Sequence, residues 1–115
     1  MSHQAFIDNI VQRIVKAYDP LIIYLLGKEE WDLDEDYEEV DLRIIVQSSA
    51  INDQPEGPVG KASIDRAQVG YEALKDLPGE KFILVFTLDE FDSLRKKGDL
   101  TYVFATTHGT KIYTR

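Results

Sequence analysis

The sequence contains no cysteine, which excludes a disulfide framework, a thiolate metal centre and a cysteine nucleophile, and fits a reducing compartment. Long apolar runs are missing as well. The longest, Leu21 to Leu26, has six residues, whereas a membrane-spanning helix needs roughly 20, so no membrane crossing is expected. The chain does not open with a basic stretch followed by an apolar one. No secretory signal is therefore expected, and the cytoplasm is the default compartment. Cationic stripes are lacking too: 13 Lys and Arg stand against 21 Asp and Glu, a formal charge of −8. Without clustered cations to neutralise a phosphate backbone, stable nucleic-acid binding is disfavoured. Neither a Gly-rich phosphate loop nor a Ser-His-Asp arrangement can be recognised.

What remains is a chain of 115 residues, 43% of them apolar, which fits one globular domain spanning 1–115 with a core large enough to need no staples. The negative charge is local. Glu29, Glu30, Asp32, Asp34, Glu35, Asp36, Glu38, Glu39 and Asp41 place nine acids within thirteen residues, and elsewhere 13 bases face 12 acids. An EF-hand reading of Asp32, Asp34 and Asp36 fails, because that loop needs Gly where Tyr37 stands and Glu where Arg43 stands. Trp31 and His108 read as packing residues.

The spacing of Phe6, Ile7, Ile10, Val11, Ile14, Val15 and Tyr18 predicts an amphipathic helix, with Ser2 as its N-cap and Pro20 as its stop. Leu21 to Leu26 predicts a central strand buried on both faces. From Val40 the pattern alternates. Val40, Leu42, Ile44 and Val46 point one way, and Glu39, Asp41, Arg43 and Ile45 the other. Residues 47–61 read as a surface loop. A helix follows with Ile64, Ala67, Tyr71 and Leu74 inward, ended by Pro78 and Gly79. Phe82 to Phe86 predicts a third strand, and Thr87-Leu88-Asp89-Glu90 a capping box opening a helix with Leu88, Phe91 and Leu94 inward and Gly98 at its end. Leu100 to Thr107 is open between helix and strand, its β-branched and aromatic residues favouring strand. Lys111 to Thr114 predicts a short last strand. The expected architecture is α/β (α+β): a small mixed sheet flanked by helices.

Glu39 and Asp41 lie two residues apart on a strand, so their Cα atoms share a face about 6.5 Å apart and both carboxylates can lean toward one hard cation. Gly27-Lys28, ten intervening residues, then Glu39-Val40-Asp41 resembles the G-S-x10-D-x-D signature of the minimal nucleotidyltransferases of the polymerase-β-like superfamily. The leading helix, the strand before Gly27, the strand running into Thr87-Leu88-Asp89-Glu90-Phe91 and the segment Gly109 to Tyr113 resemble the same layout. The resemblance implies a nucleotidyltransferase-like fold. It implies Gly27 and Lys28 at the phosphates of a nucleoside triphosphate, and Glu39 and Asp41 as catalytic residues and ligands of Mg²⁺ or Mn²⁺, with Glu80 a further candidate ligand. It also implies transfer of a nucleoside monophosphate to a protein acceptor, as in antitoxins of toxin-antitoxin pairs, with a HEPN-like protein or a homo-oligomer as partner. Three positions depart from the pattern. Lys28 replaces Ser, Glu39 replaces Asp, and the third carboxylate, counted back from Thr87, falls on Phe82. These departures favour a binding or regulatory module with a degenerate site over an active enzyme, the alternative being Mg²⁺-dependent nucleotidyl transfer.

Overall fold

The computed structural model describes residues 3–26, 39–48 and 59–115. The apolar spacing of the first segment folds as helix α1 (His3–Tyr18), with Phe6, Ile10 and Ile14 fully buried. Its last turn closes by Asp19 N–H donating to the Val15 carbonyl at 2.8 Å. Asp19 takes a left-handed conformation at φ 49°, and Pro20 has no N–H with which to continue the helix. The cap expected at Ser2 lies outside the described residues.

Three strands follow the predicted pattern closely: β1 (Ile22–Leu26), β2 (Glu39–Val46) and, after helix α2 (Val59–Leu74), β3 (Glu80–Thr87). Strand β4 (Thr110–Thr114) ends the chain. The sheet has the order β3-β2-β1-β4, with β2 and β3 parallel and the other two pairs antiparallel. Strands β1 and β2 are therefore central, as the unbroken apolar run predicts. The parallel pair requires the α2 crossover. The mixed sheet flanked by helices is the expected α+β class.

Helices α1 and α2 cover one sheet face, burying Phe6, Ile10 and Ile14 with Ile23, Leu25, Leu42, Ile44, Leu74 and Val85. Tyr18 fastens the two helices: its O–H donates to the Arg66 carbonyl at 2.6 Å and accepts from Gly70 N–H at 2.8 Å. The opposite face carries a smaller cluster of Tyr24, Ile45 and Phe86 under helices α3 (Leu88–Lys97) and α4 (Leu100–His108), which contribute Phe91, Leu94 and Ala105. Phe91 and Tyr102 pack with ring centres 4.8 Å apart.

The capping box forms as read. Thr87 accepts from Glu90 N–H at 3.1 Å, Glu90 accepts from Thr87 N–H at 2.9 Å, and Gly98 ends α3 at φ 66°. Three expectations need correction. Ile64 is exposed rather than inward: the buried stripe of α2 keeps Ala67 and Leu74 as expected, but Ser63 takes the inward place at its N-terminal end. Leu88, at the first turn of α3, is also exposed. Leu100 to Thr107 is helix and not strand. Asp99 caps it by accepting from Thr101 N–H at 2.9 Å, and the burial of Tyr102 and Ala105 against Tyr24 and Phe91 outweighs the β preference of Val103 and the Thr residues.

Candidate functional site

The alternation of β2 puts Glu39, Asp41, Arg43 and Ile45 on the face shared with α3 and α4. The helices cover the end that carries Ile45 and Phe86. Sheet register then builds four rows across this face. Glu39 lies beside Glu80; Asp41 lies between Phe82 on β3 and Leu26 on β1; Arg43 lies between Leu84 and Tyr24, with Lys111 beyond Tyr24 on β4; Ile45 lies between Phe86 and Ile22. Neighbouring strands stand about 4.8 Å apart, so each row places its side chains in contact range.

Glu39 and Asp41 thus share one face, as period two requires. Phe82 is the direct neighbour of Asp41, so the position reached by counting back from Thr87 is the one beside the second carboxylate. Glu80 stands on the Glu39 row, one step from Asp41. Leu26, the last residue of β1, is beside Asp41 as well. Gly27, Lys28, Trp31 and the acids from 29 to 38 lie outside the described residues.

The central interaction at the site is internal. The Arg43 guanidinium donates to the Asp41 carboxylate and, at 3.2 Å, to the Leu42 carbonyl. Its Cζ stands 5.2 Å from the centre of the Phe82 ring, a cation–π contact. Arg43 retains 13% of its side-chain exposure and Asp41 24%, so the pair is largely shielded, whereas Phe82 is 48% exposed. One row further, the Lys111 ammonium lies 6.0 Å from the Tyr24 ring centre. Burial, with a smaller contribution from Tyr102, pushes the Tyr24 phenol up from its ordinary value.

As a seat for Mg²⁺, the described residues offer Glu39 without an ion pair, Glu80 beside it, and an Asp41 already engaged by a guanidinium. Among the described residues no three Asp, Glu or His side chains are gathered as a metal-holding group. The β3 neighbour of Asp41 is Phe82, an aromatic ring with no oxygen to offer a metal. The described donors therefore do not fit a two-metal centre.

His108 is exposed, its ring lying 4.7 Å from that of the equally exposed Phe104 on the surface of α4. Among the described helices none is long and apolar enough to cross a membrane. Arg43 and Asp41 could be assigned to one face from sequence alone, but the Phe82 partner could not, since the stacking depends on the β2–β3 register. The chain matches no protein-family model, and neither curated proteins nor solved structures give a match.

Proposed function

We propose that the chain is a nucleotidyltransferase-like binding module, acting in the cytoplasm, in which an internal cation has taken over the role of a metal. The observation that carries this reading is the Arg43 guanidinium, held by Asp41 and stacked on Phe82. A carboxylate row on a half-buried sheet face needs a counter-charge. Arg43 supplies it from within the same strand. The same arrangement removes what transfer requires. Asp41 no longer has its charge free for an ion, and Phe82 offers no oxygen to a second one. The retained fold then serves to hold a partner, in the regulatory manner expected from the departures at Lys28, Glu39 and Phe82. The cysteine-free composition supports a reducing compartment.

Calorimetry with ATP, with and without excess Mg²⁺, tests the proposal on the wild type and on Asp41→Ala. Heat that depends on the metal and disappears in Asp41→Ala would overturn it. So would a nucleotide mass added to the protein, or to a co-incubated acceptor, that requires Asp41. The expected result is no Mg²⁺-dependent heat and no adduct with any of the four nucleoside triphosphates.

A further inference from the structure

The part of the sheet face that α3 and α4 leave open carries more negative charge than it balances internally. Its carboxylates stand on two adjoining rows, Glu39 with Glu80 and Asp41 with Phe82, and Arg43 on the next row is committed to Asp41. Glu39 and Glu80 are exposed, and neither has an ion pair or a side-chain hydrogen bond among the described residues. The other base of β3, Lys81, falls on the opposite face by alternation and donates to the Leu77 carbonyl. Two charges are therefore left without a counter-charge. Phe82 lies between them and Arg43. The guanidinium of Arg43 stacks on its ring from the side of the Leu84 row, the Glu39–Glu80 row borders it on the other side, and the residue remains 48% exposed. Glu80 and Phe82, two positions apart on one strand, are separated by about 6.6 Å at Cα, a gap that a long side chain closes. Arg43 already displays the binding mode that these groups suit: one guanidinium shared between this ring and a carboxylate. On the Glu39–Glu80 side the same ring and two acceptors stand without a donor.

From this we infer that the face takes an arginine side chain of a partner protein, its guanidinium against Phe82 and its N–H groups donating to Glu39 and Glu80. The inference rests on the reading of this site as a binding module and adds the chemistry of what is bound. Lysine is the poorer occupant, because a compact, strongly hydrated ammonium neither stacks as a plane nor forks onto a carboxylate. A divalent ion would use the two carboxylates and leave the exposed ring without a role. The formal charge of −8 draws any basic segment toward the chain, but only a ring beside paired acceptors tells arginine from lysine.

The test uses three labelled synthetic peptides, identical except at three positions filled by arginine, lysine or citrulline, titrated with the full chain by fluorescence anisotropy in chelating buffer. The arginine peptide is expected to bind about threefold or more tightly than the lysine peptide and about tenfold or more tightly than the citrulline peptide, its neutral isostere. Phe82→Ala is expected to abolish the preference for arginine over lysine. The double variant Glu39→Gln/Glu80→Gln, which leaves the ring and Arg43 in place, is expected to weaken arginine binding about tenfold or more. Melting curves confirm that both variants fold, and the double variant carries the test if Phe82→Ala does not. Failure of the arginine peptide to bind, or equal binding of the arginine and lysine peptides, overturns the inference. So does an affinity that the double variant leaves unchanged, which would assign the peptide to the acidic run before Glu39. Failure of the underlying reading is a separate result: heat from Mg²⁺ and ATP, measured without peptide and lost in Asp41→Ala.

Discussion

Replacing Arg43 with Ala tests the internal-cation reading most directly, because it opens the Asp41 carboxylate while leaving every carboxylate in place. Three contacts are lost, and two of them carry the estimate, the third, a hydrogen bond to the Leu42 carbonyl at 3.2 Å, being long and weak. The cation–π contact on Phe82 is worth about 0.5–1 kcal/mol at a partly exposed ring. The ion pair lies between the exposed limit of about 0–1 kcal/mol and the buried limit of about 3–5 kcal/mol, and its residual exposures of 13% and 24% place it near the middle. Together they give a destabilisation of about 2–3 kcal/mol. For 115 residues, an unfolding entropy of about 2.1 cal/mol/K per residue converts each kcal/mol into about 4 °C, so melting should fall by about 8–12 °C. Mg²⁺ then separates two accounts. If Arg43 stands where an ion would, the wild type is insensitive to Mg²⁺, whereas the variant, with Asp41 and Glu39 both open, recovers about 1.4 kcal/mol when free Mg²⁺ is ten times its dissociation constant. Differential scanning fluorimetry across an Mg²⁺ series reads both effects. Equal stabilisation of wild type and variant, or a loss on mutation below about 2 °C, refutes the reasoning.

Other parts of the fold give separate predictions. Glu90 closes the capping box and also pairs with Arg66, whose Nη2 donates to Oε2 at 3.1 Å from a site only 6% exposed. Glu90→Ala should therefore cost about 3–4 kcal/mol in urea unfolding, against about 1 kcal/mol for Thr87→Ala, which removes one cap bond. A Cβ at Gly109 would stand 2.3 Å from the Ala105 carbonyl oxygen, so Gly109→Ala must displace the end of α4 and should lose about 1–3 kcal/mol. The same urea series would show a loss below about 0.5 kcal/mol if that close approach were unimportant. The Arg13 guanidinium holds the Asp76 carboxyl below its ordinary value, mainly through their hydrogen bonds. A depressed carboxyl contributes stability above its unfolded pKa and loses it as pH falls through the folded one. Asp76→Asn should accordingly lower stability slightly in the neutral region and flatten the acid limb below about pH 4, the two proteins converging at the acid end. An unchanged acid limb would argue against the pair.

The elements that could be read from sequence are those whose signals are local. The capping box at Thr87 and Glu90 involves residues three apart, and it forms as written. The run from Leu21 to Leu26 has no polar face, which suits a strand at the centre of the sheet. Alternation from Glu39 to Val46 assigned every side chain to its face. Errors arose where a decision depended on partners far along the chain. Ile64 fits an apolar stripe by type, yet Ser63 holds the buried position, because α2 lies close against β3 and a small side chain fits there. In α4, intrinsic preference pointed to strand, and the tertiary contacts of Tyr102 and Ala105 decided for helix. The site divides in the same way. That Glu39, Asp41 and Arg43 share a face is a property of one strand, whereas the position of Phe82 beside Asp41 follows from a parallel register set through the α2 crossover.

The row that carries Glu39 and Glu80 allows a last prediction, because it is the part of the site that Arg43 does not neutralise. The two residues are direct neighbours on parallel strands, both are exposed, and neither has an ion pair among the described residues. Like charges in this arrangement destabilise a sheet by about 0.2–1 kcal/mol, and salt screens the effect. Glu80→Gln should then raise stability by that amount in low-salt, chelated buffer, and the gain should shrink as salt is added. A divalent ion bridging the two carboxylates would invert the sign. In Mg²⁺, Glu80→Gln would remove a ligand and become destabilising relative to wild type. Urea midpoints of both proteins, in chelator and in Mg²⁺, therefore distinguish an exposed acidic pair from a single-ion seat. On the internal-cation reading the substitution stabilises in both buffers, and a reversal confined to Mg²⁺ would return Glu39 and Glu80 to the role of metal ligands.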